Sequence, residues 1–262
     1  MDSPHGAAVA AENLGLKGPR GWAFRGVTFS AGPGSLIAVE GPSGSGRTCL
    51  LLALTGRMRS IEGHAETGGL RLPRRAAAVR RIAALGPVPG VSELDPAFTV
   101  AEHLRERVLL QRRYDGSPRA LLRPRRERAA TARARIDAAL EAAGLDPATL
   151  PKAERTSVRD LERLEALRLS LALALIGRPA LIAVDDADLK LSAAERAEAW
   201  ELLRSLAAGG TTVLAVCSEA PEDAVTVRTD THSTTGTTDT TDTTDTTDDE
   251  RTADAFAETG HS

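Results

Sequence analysis

One stretch of the chain has the composition and spacing of a phosphate-binding loop. Residues 41–48 read GPSGSGRT, between the apolar run 35–40 and a Leu-rich segment that starts at Cys49. This order predicts a strand, a loop and a helix. A Gly-rich turn at a helix N-terminus directs several backbone N–H groups and the positive end of the helix dipole at one anion. The stretch therefore predicts a nucleotide-binding site formed by Gly41, Pro42, Ser43, Gly44, Ser45, Gly46, Arg47 and Thr48.

Arg47 occupies the position at which this loop pattern, GxxxxGK[ST], has a lysine. A guanidinium keeps the positive charge, but it is planar and forked, whereas the lysine ammonium is a compact point charge. We therefore expect the exchange to affect phosphoryl transfer more than nucleotide binding. The alternative is an ordinary Gly/Ser turn that joins a strand to a helix, and the arginine adds some weight to it.

Thr48 and Asp185 are the predicted ligands of a magnesium ion. The hydroxyl of Thr48 suits a nucleotide-associated Mg²⁺, and the apolar run 180–184 ends in the two carboxylates Asp185 and Asp186. In P-loop enzymes an acidic residue at such a strand end holds the Mg²⁺, directly or through water, and a second carboxylate can orient the attacking water. We therefore assign Asp185 to the metal and Asp186 to catalysis.

The elements around these motifs predict an α/β fold with a mostly parallel sheet. Apolar or alternating stretches predict strands at about 12–16, 27–30, 35–40, 82–85, 180–184 and 211–217. Capping boxes and apolar stripes predict helices at about 99–113, 124–143, 157–176 and 192–209. The residues from about 97 to 178 therefore form a helical block inside an α/β sheet, whose ligands are expected at the carboxyl ends of the strands.

Composition limits the class of protein. The 262 residues, 42% of them apolar, can fill the core of a large domain. Cys49 and Cys217 are the only cysteines, and we expect both to be small core residues. No apolar run approaches the ~18 residues of a membrane helix, and the N-terminus lacks a signal pattern. We expect a cytoplasmic protein, peripheral at the inner face of the cell membrane if it serves a membrane-spanning subunit.

The charge is unevenly distributed between a body and a tail. Residues 229–262 are rich in Thr and Asp and carry nine acidic residues against one arginine. This gives −8 to the tail and leaves +5 on residues 1–228, because the whole chain carries −3. A segment with so little apolar surface is expected to be disordered. The predicted domains are therefore a folded body, 1–228, and an acidic tail, 229–262.

Nine arginines lie between Arg112 and Arg135, against only Asp115 and Glu127. We interpret them as a solvated helical face; the alternative is contact with anionic lipid headgroups or an acidic partner, including the chain's own tail. Nucleic acid binding is not expected, because Tyr114 is the only aromatic residue interleaved with these arginines.

Trp22 either stacks on an adenine ring or packs as a hydrophobic staple, and we favour the staple.

The motifs together resemble those of the ATP-binding cassette (ABC) ATPases, the nucleotide-binding subunits of membrane transporters. The resemblance covers roughly residues 9–220 and rests on GPSGSGRT at 41–48, LDPAFTV at 94–100, and LALALIGRP at 171–179 leading into LIAVDD. It implies an ABC-type P-loop fold with a helical subdomain at about 97–178. It also implies ATP and Mg²⁺ as ligands, a homo- or heterodimer of cassettes, and a separate membrane-spanning subunit as partner.

The resemblance is closer for nucleotide binding than for hydrolysis. Asp186 falls where the family has its catalytic Glu, and its shorter side chain would misplace a water whose position matters at the ångström scale. Ser218 falls on the switch histidine, and Gly90 or a neighbour on the Gln of the Gln loop. Glu162, Arg163 and Leu164 replace the Ser-Gly-Gly signature turn, and we expect them to stay helical. The loop at 187–192 is altered as well.

These departures imply a cassette that binds Mg²⁺-nucleotide and hydrolyses it slowly or not at all on its own. Three further interpretations stay open. Another cassette completes the active site, or the chain is an active ATPase with an unusual set of groups, or it is a non-hydrolysing nucleotide-binding regulatory or scaffold protein.

Overall fold

The computed structural model describes residues 6–19, 21–59, 62–114 and 124–229, without the side chains of 112–114 and 125. Its strands are β1 (Val9–Gly18), β2 (Gly21–Ala31), β3 (Leu36–Glu40), β4 (Glu62–Thr67), β5 (Leu70–Leu72), β6 (Ala83–Leu85), β7 (Leu181–Val184), β8 (Thr212–Val216) and β9 (Val225–Arg228). Its helices are α1 (Arg47–Leu54), α2 (Ala76–Ile82), α3 (Val100–Tyr114), α4 (Arg125–Ala142), α5 (Arg163–Leu175) and α6 (Ala193–Ala208). The predicted disordered tail from residue 230 onward and the centre of the arginine-rich segment lie outside the described residues.

A five-stranded sheet in the order β6-β7-β8-β3-β9 is parallel throughout and confirms the predicted parallel sheet. Its strands β3, β7 and β8 are short apolar runs, as expected of strands covered on both faces. Along β3, Leu36 and Ala38 belong to one apolar cluster, and Ile37 and Val39 belong to the other. The period-two alternation of a strand thus divides the core between the two faces of this sheet.

A second, antiparallel sheet in the order β2-β1-β4-β5 was not predicted as such. The two stretches at 12–16 and 27–30 belong to long strands, which pair from Val9 opposite Ala31 to Gly18 opposite Gly21. The pairing of Gly18 with Gly21 makes the two strands an antiparallel hairpin. Breaks in the pairing register along β1 interrupt its alternation, and this explains why the sequence showed only fragments of these strands.

The helical block contains α3, α4 and α5. The predicted capping box opens α3: Thr99 N donates to Glu102 Oε2 at 2.7 Å, and Glu102 N donates to Thr99 Oγ1 at 3.3 Å. The prediction that a helix begins at residue 157 was wrong, because α5 begins at Arg163. Val158 N donates instead to the carbonyl of Phe98 at 2.9 Å, and this bond ties the preceding segment to the start of α3.

Strand β9 is a second correction, since the last strand predicted from the sequence was 211–217. Val225–Arg228 adds a parallel edge strand beside β3, with Arg228 opposite Glu40. The strand is short and only Val227 in it is fully buried, so it lacks the apolar run that identified its neighbours. Thr229, which we had assigned to the tail, is also buried, at 1% exposure.

The first prediction concerns Glu40, whose carboxylate accepts from Arg228 Nε at 2.6 Å and from Ala220 N at 3.1 Å. The hydrogen bond from Arg228 is the main reason that the pKa of Glu40 is held below its ordinary value of 4.5. The contact therefore stabilises the fold above pH 4.5, and the gain is lost as pH falls through the lower, folded-state pKa. Glu40→Gln should cost about 1 kcal/mol of unfolding free energy at neutral pH.

Urea denaturation of both proteins at neutral pH and in steps toward about pH 3 measures this effect. The difference between wild type and Glu40→Gln should shrink as the pH falls below 4.5. Glu219→Gln, an exchange at a nearby exposed site, is the control. A difference that stays constant over the whole range would contradict the assignment.

Candidate functional site

The loop at 41–48 has the backbone conformation that a phosphate turn requires. Gly44 and Gly46 have φ angles of 82° and 81°, a region that favours glycine. A Cβ at Gly46 would overlap the carbonyl oxygen of Ala23, and one at Gly41 would lie 2.6 Å from that of Thr229. The glycines are therefore needed both for the turn and for the close approach of two neighbouring segments. Helix α1 follows at once, with Gly46 as its N-cap.

A pocket of about 680 Å³ opens above this loop. Besides loop residues, its lining contains Ala23, Cys49, Asp186, Leu189 and Ser218. The structure thus brings three predicted groups together at one site: the loop, Asp186 and the residue at the switch position. Pro42 and Ser45 lie outside the described lining, and Ser45 is buried beneath the loop at 1% exposure.

Trp22 is not among the described residues of the pocket lining. Its ring is covered by charged side chains of the β1–β2 hairpin, with the guanidinium carbon of Arg25 at 4.6 Å and Lys17 Nζ at 5.7 Å from the ring centroid. These are cation–π distances. Its neighbour Ala23 contributes to the lining instead.

Thr48 and Asp185 lie together, as the sequence predicted for two metal-binding groups. Thr48 Oγ1 donates a hydrogen bond to Asp185 Oδ2 at 2.7 Å. Asp185 is 4% exposed and follows the end of β7. Burial raises its pKa, the bond from Thr48 opposes this rise, and the neighbouring charge of Asp186 adds to it.

A hydroxyl and a carboxylate are hard oxygen ligands of the type that Mg²⁺ prefers. Mg²⁺ is usually held by one or two carboxylates together with water and substrate phosphates. In the part of the chain that the structure describes, no group of three or more His, Cys, Asp or Glu side chains is placed to hold a metal by itself. The pair therefore fits a metal ion that arrives with a nucleotide.

Arg47 reaches across the pocket toward the end of β8. Its Nη1 donates to the carbonyl oxygen of Cys217 at 2.7 Å. The Cys217 thiol is buried, and burial raises its pKa to about 12. Burial also raises the pKa of Cys49, but Cys49 is only partly buried and lines the pocket, so the expected core position is confirmed for Cys217 alone.

Asp188 is a site residue that sequence reasoning missed. Its carboxylate is 4% exposed and accepts from the backbone N–H of Ser218, with N–Oδ2 and N–Oδ1 distances of 2.9 and 3.2 Å. The segment 187–192 had been noted only as an altered loop, and nothing in its composition indicated this contact. Between them, Asp188 and Arg47 fix the backbone at positions 217 and 218.

Asp186 has a left-handed backbone with φ of 49°, which is uncommon for a residue other than glycine but tolerated by Asp. Its N–H donates to Asp185 Oδ1 at 3.1 Å. Besides the loop pocket, Asp186 also lines a neighbouring groove of about 230 Å³ together with Glu93 and Arg163. In the same region Gly90 N donates to Glu93 Oε1 at 2.9 Å.

The expectation that residues 162–164 are all helical was wrong for the first of them. Glu162 is the N-cap of α5 in an extended conformation, and its N–H donates to Glu165 Oε2 at 2.8 Å. Arg163 starts the helix, and Leu164 is buried in the core. The segment that replaces the signature turn therefore begins with the helix cap Glu162, whose N–H is bonded to the carboxylate of Glu165.

A parallel sheet with a Gly-rich loop at the carboxyl end of one strand and an inserted helical block is the architecture of a P-loop NTPase. A sequence profile of the ABC transporter family matches residues 24–188. The chain belongs to this family as an ABC transporter ATP-binding protein, and both the predicted family and the predicted fold class are confirmed.

Two curated relatives share the name Nod factor export ATP-binding protein I. The protein from Paraburkholderia xenovorans (strain LB400) is 35% identical over 189 residues, which are 72% of this chain and 55% of the relative. The protein from Ralstonia nicotianae (strain ATCC BAA-1114 / GMI1000) is 34% identical over 189 residues, 72% of this chain and 52% of the relative. The chain thus spans about half the length of these relatives.

Solved structures agree on the fold. A dimeric ATP-binding cassette in a post-hydrolysis state with ADP and Pi has a TM-score of 0.61 and 21% identity, over 81% of this chain and 88% of that chain. A nucleotide-free ATP-binding cassette has a TM-score of 0.62 and 17% identity, over 81% of each chain. Among the described residues, no helix combines the length and the apolar character needed to cross a membrane.

The second prediction uses two loop glycines with nearly the same positive φ angle. Gly44 and Gly46 differ in the space around them, because a Cβ at Gly44 meets nothing within 4 Å, whereas one at Gly46 would overlap a backbone carbonyl. Gly44→Ala should cost about 1–2 kcal/mol for the left-handed conformation alone. Gly46→Ala should cost at least about 1 kcal/mol more, because rigid backbone must move. Chemical denaturation measures both losses, and equal losses would contradict the described loop.

Proposed function

We propose that the chain is the nucleotide-binding subunit of a transport system, which binds Mg²⁺-ATP at the loop pocket and couples this binding to a separate membrane-spanning subunit. The observation that carries the proposal is that the glycine-rich loop, Arg47 and Thr48 line one pocket, and that Thr48 is hydrogen-bonded to Asp185 behind it. The place of action would be the cytoplasm, with peripheral contact at the inner face of the cell membrane.

Each group has a role that follows from its chemistry. Backbone N–H groups of the loop and of the N-terminus of α1 would bind the phosphates, with Arg47 adding the positive charge; Pro42 has no N–H, and that of Ser45 is bonded to the carbonyl of Pro42. Thr48 and Asp185 would hold Mg²⁺, which when bound supplies a positive charge that offsets the phosphates. Asp186 would be the catalytic carboxylate, since it is the acidic side chain in the described pocket lining.

Hydrolysis should be slow, because the groups around a terminal phosphate are poorly suited to the transition state. Phosphoryl transfer is catalysed by positioning and by stabilisation of charge. Ser218 supplies no cation, and its N–H is already bonded to Asp188. Glu162 adds a carboxylate at the segment that replaces the signature turn. These observations also favour the second candidate, a non-hydrolysing nucleotide-binding regulatory or scaffold protein.

A dimer would hydrolyse nucleotide faster than the single chain only if the partner cassette supplied the missing groups. A homodimer repeats the same departures at both sites, whereas a second, different cassette would bring its own residues. Copurification with a multi-spanning membrane protein encoded nearby would support transport. Nucleotide binding without any such partner would favour the regulatory alternative.

The third prediction tests nucleotide binding. Calorimetric titration of Mg²⁺-ATP should detect binding to the wild type, and Arg47→Ala should weaken it by about tenfold, because a charge-assisted bond to phosphate is lost. Arg47→Lys, which keeps the charge, should bind within a few-fold of the wild type. Omission of Mg²⁺ should weaken binding to the wild type more than to Thr48→Val.

A titration without signal would overturn the proposal. If millimolar Mg²⁺-ATP gives neither heat nor thermal stabilisation with the wild type, the loop is not a working phosphate site. The cassette would then be a retained scaffold.

The fourth prediction concerns turnover. Phosphate release by the purified chain should stay below about 1 s⁻¹, the low end of ordinary enzyme turnover. Asp186→Glu should raise the rate, since it restores the missing methylene, and Asp186→Asn should remove any residual rate. Brisk wild-type turnover that Asp186→Asn abolishes would instead identify an active ATPase with an unusual set of groups.

A further inference from the structure

Strand β9 places Thr229 directly against the phosphate-binding loop. Because β9 runs parallel to β3 with Arg228 opposite Glu40, the next residues on the two strands, Thr229 and Gly41, come to the same level. Thr229 N donates to the carbonyl of Glu40 at 3.0 Å, which continues the ladder to the edge of the loop. Thr229 is 1% exposed, so its polar side chain needs a partner inside the protein.

That partner is a loop residue. Ser45 Oγ and Thr229 Oγ1 are 2.7 Å apart, and both residues are 1% exposed. Thr229 Oγ1 also lies 3.4 Å from the carbonyl oxygen of Glu40. The two hydroxyls can therefore form a chain in which Ser45 donates to Thr229 and Thr229 donates to Glu40.

The contact acts on the middle of the loop. Ser45 N donates to the carbonyl of Pro42 at 3.1 Å, so Ser45 closes a turn whose neighbouring residues Ser43, Gly44 and Gly46 line the pocket. The space behind the turn is filled, because a Cβ on Gly41 would lie 2.7 Å from Ser45 Oγ and from Thr229 Oγ1. A change in the hydroxyl pair therefore has little room to relax except by moving the loop.

We propose that Thr229 is a positioning residue for the phosphate-binding loop. Its hydroxyl fixes Ser45 from behind, and this sets the direction of the loop N–H groups that would bind the phosphates. The inference rests on the proposed function, in which this loop binds nucleotide. Thr229 does not touch the nucleotide itself, since it lies on the buried side of the loop.

The experiment compares three variants of the full chain. Thr229→Val keeps the shape and removes the hydroxyl, and Thr229→Ser keeps the hydroxyl. Thr226→Val makes the same chemical change at an exposed position of β9 and serves as the matched control. Titration of Mg²⁺-ADP and Mg²⁺-ATP should give about tenfold weaker binding for Thr229→Val, because a buried hydroxyl is left without its partner beneath the loop. The other two variants should stay within about twofold of the wild type.

A purely structural role would lower the melting temperature and leave the affinity of the folded protein unchanged. Equal affinities of wild type and Thr229→Val, measured well below both melting temperatures, would thus overturn the inference while leaving the proposed function intact. If Thr229→Val does not fold, Ser45→Ala removes the same bond from the other side.

If Thr229→Val folds, the two variants are also combined in a double-mutant cycle. The combined variant should then bind nucleotide no more weakly than the weaker-binding single variant.

Hydrogen exchange without nucleotide separates this inference from the proposed function. The amides of residues 41–48 should exchange faster in Thr229→Val than in Thr226→Val, with the rest of β3 and β8 unchanged. If the wild type binds no nucleotide, the proposed function fails, and this exchange pattern still decides whether Thr229 sets the loop. Unchanged exchange at residues 41–48 would overturn the inference.

Discussion

The parallel pairing of β3 with β8 on one side and β9 on the other is the constraint on which the site depends. Gly41, Asp185, Cys217 and Thr229 each directly follow the carboxyl end of a different strand of this sheet. Only the strand order brings together groups as distant in sequence as Thr48 and Asp185, which are 137 positions apart. A change in the strand order would separate the loop from Cys217 and Thr229, which contact it, and from the carboxylate of Asp185.

Features with a local physical cause could be predicted from the sequence, and features set by distant contacts could not. The glycines at 41–48 and the capping boxes at Thr99 and Ser192 were identified because each depends on residues a few positions apart. The start of α5 was missed because Glu162, a poor N-cap residue by preference, caps that helix with Glu165. Strand β9 was missed because β3, rather than its own composition, makes it a strand.

Three of the residues that we assigned as departures from the family pattern have hydrogen-bond partners inside this chain. Arg47 is bonded to the carbonyl of Cys217, the N–H of Ser218 is bonded to Asp188, and Glu162 caps a helix. These contacts hold the loop, the end of β8 and the start of α5 in place around the pocket.

Binding and catalysis make different demands on such a site. Binding an anion needs backbone donors and positive charge, which the glycine-rich loop, the start of α1 and Arg47 can provide with some tolerance in position. Catalysis needs the attacking water to be placed to within about an ångström.

Arg47 can contribute to anion binding because its guanidinium carries five N–H donors, and the bond to Cys217 engages only Nη1. The remaining donors can face a phosphate while that bond persists, so the same side chain would join a bound nucleotide to the end of β8. A lysine in this place, with one small ammonium group, would have to divide its three donors between both partners from a single point.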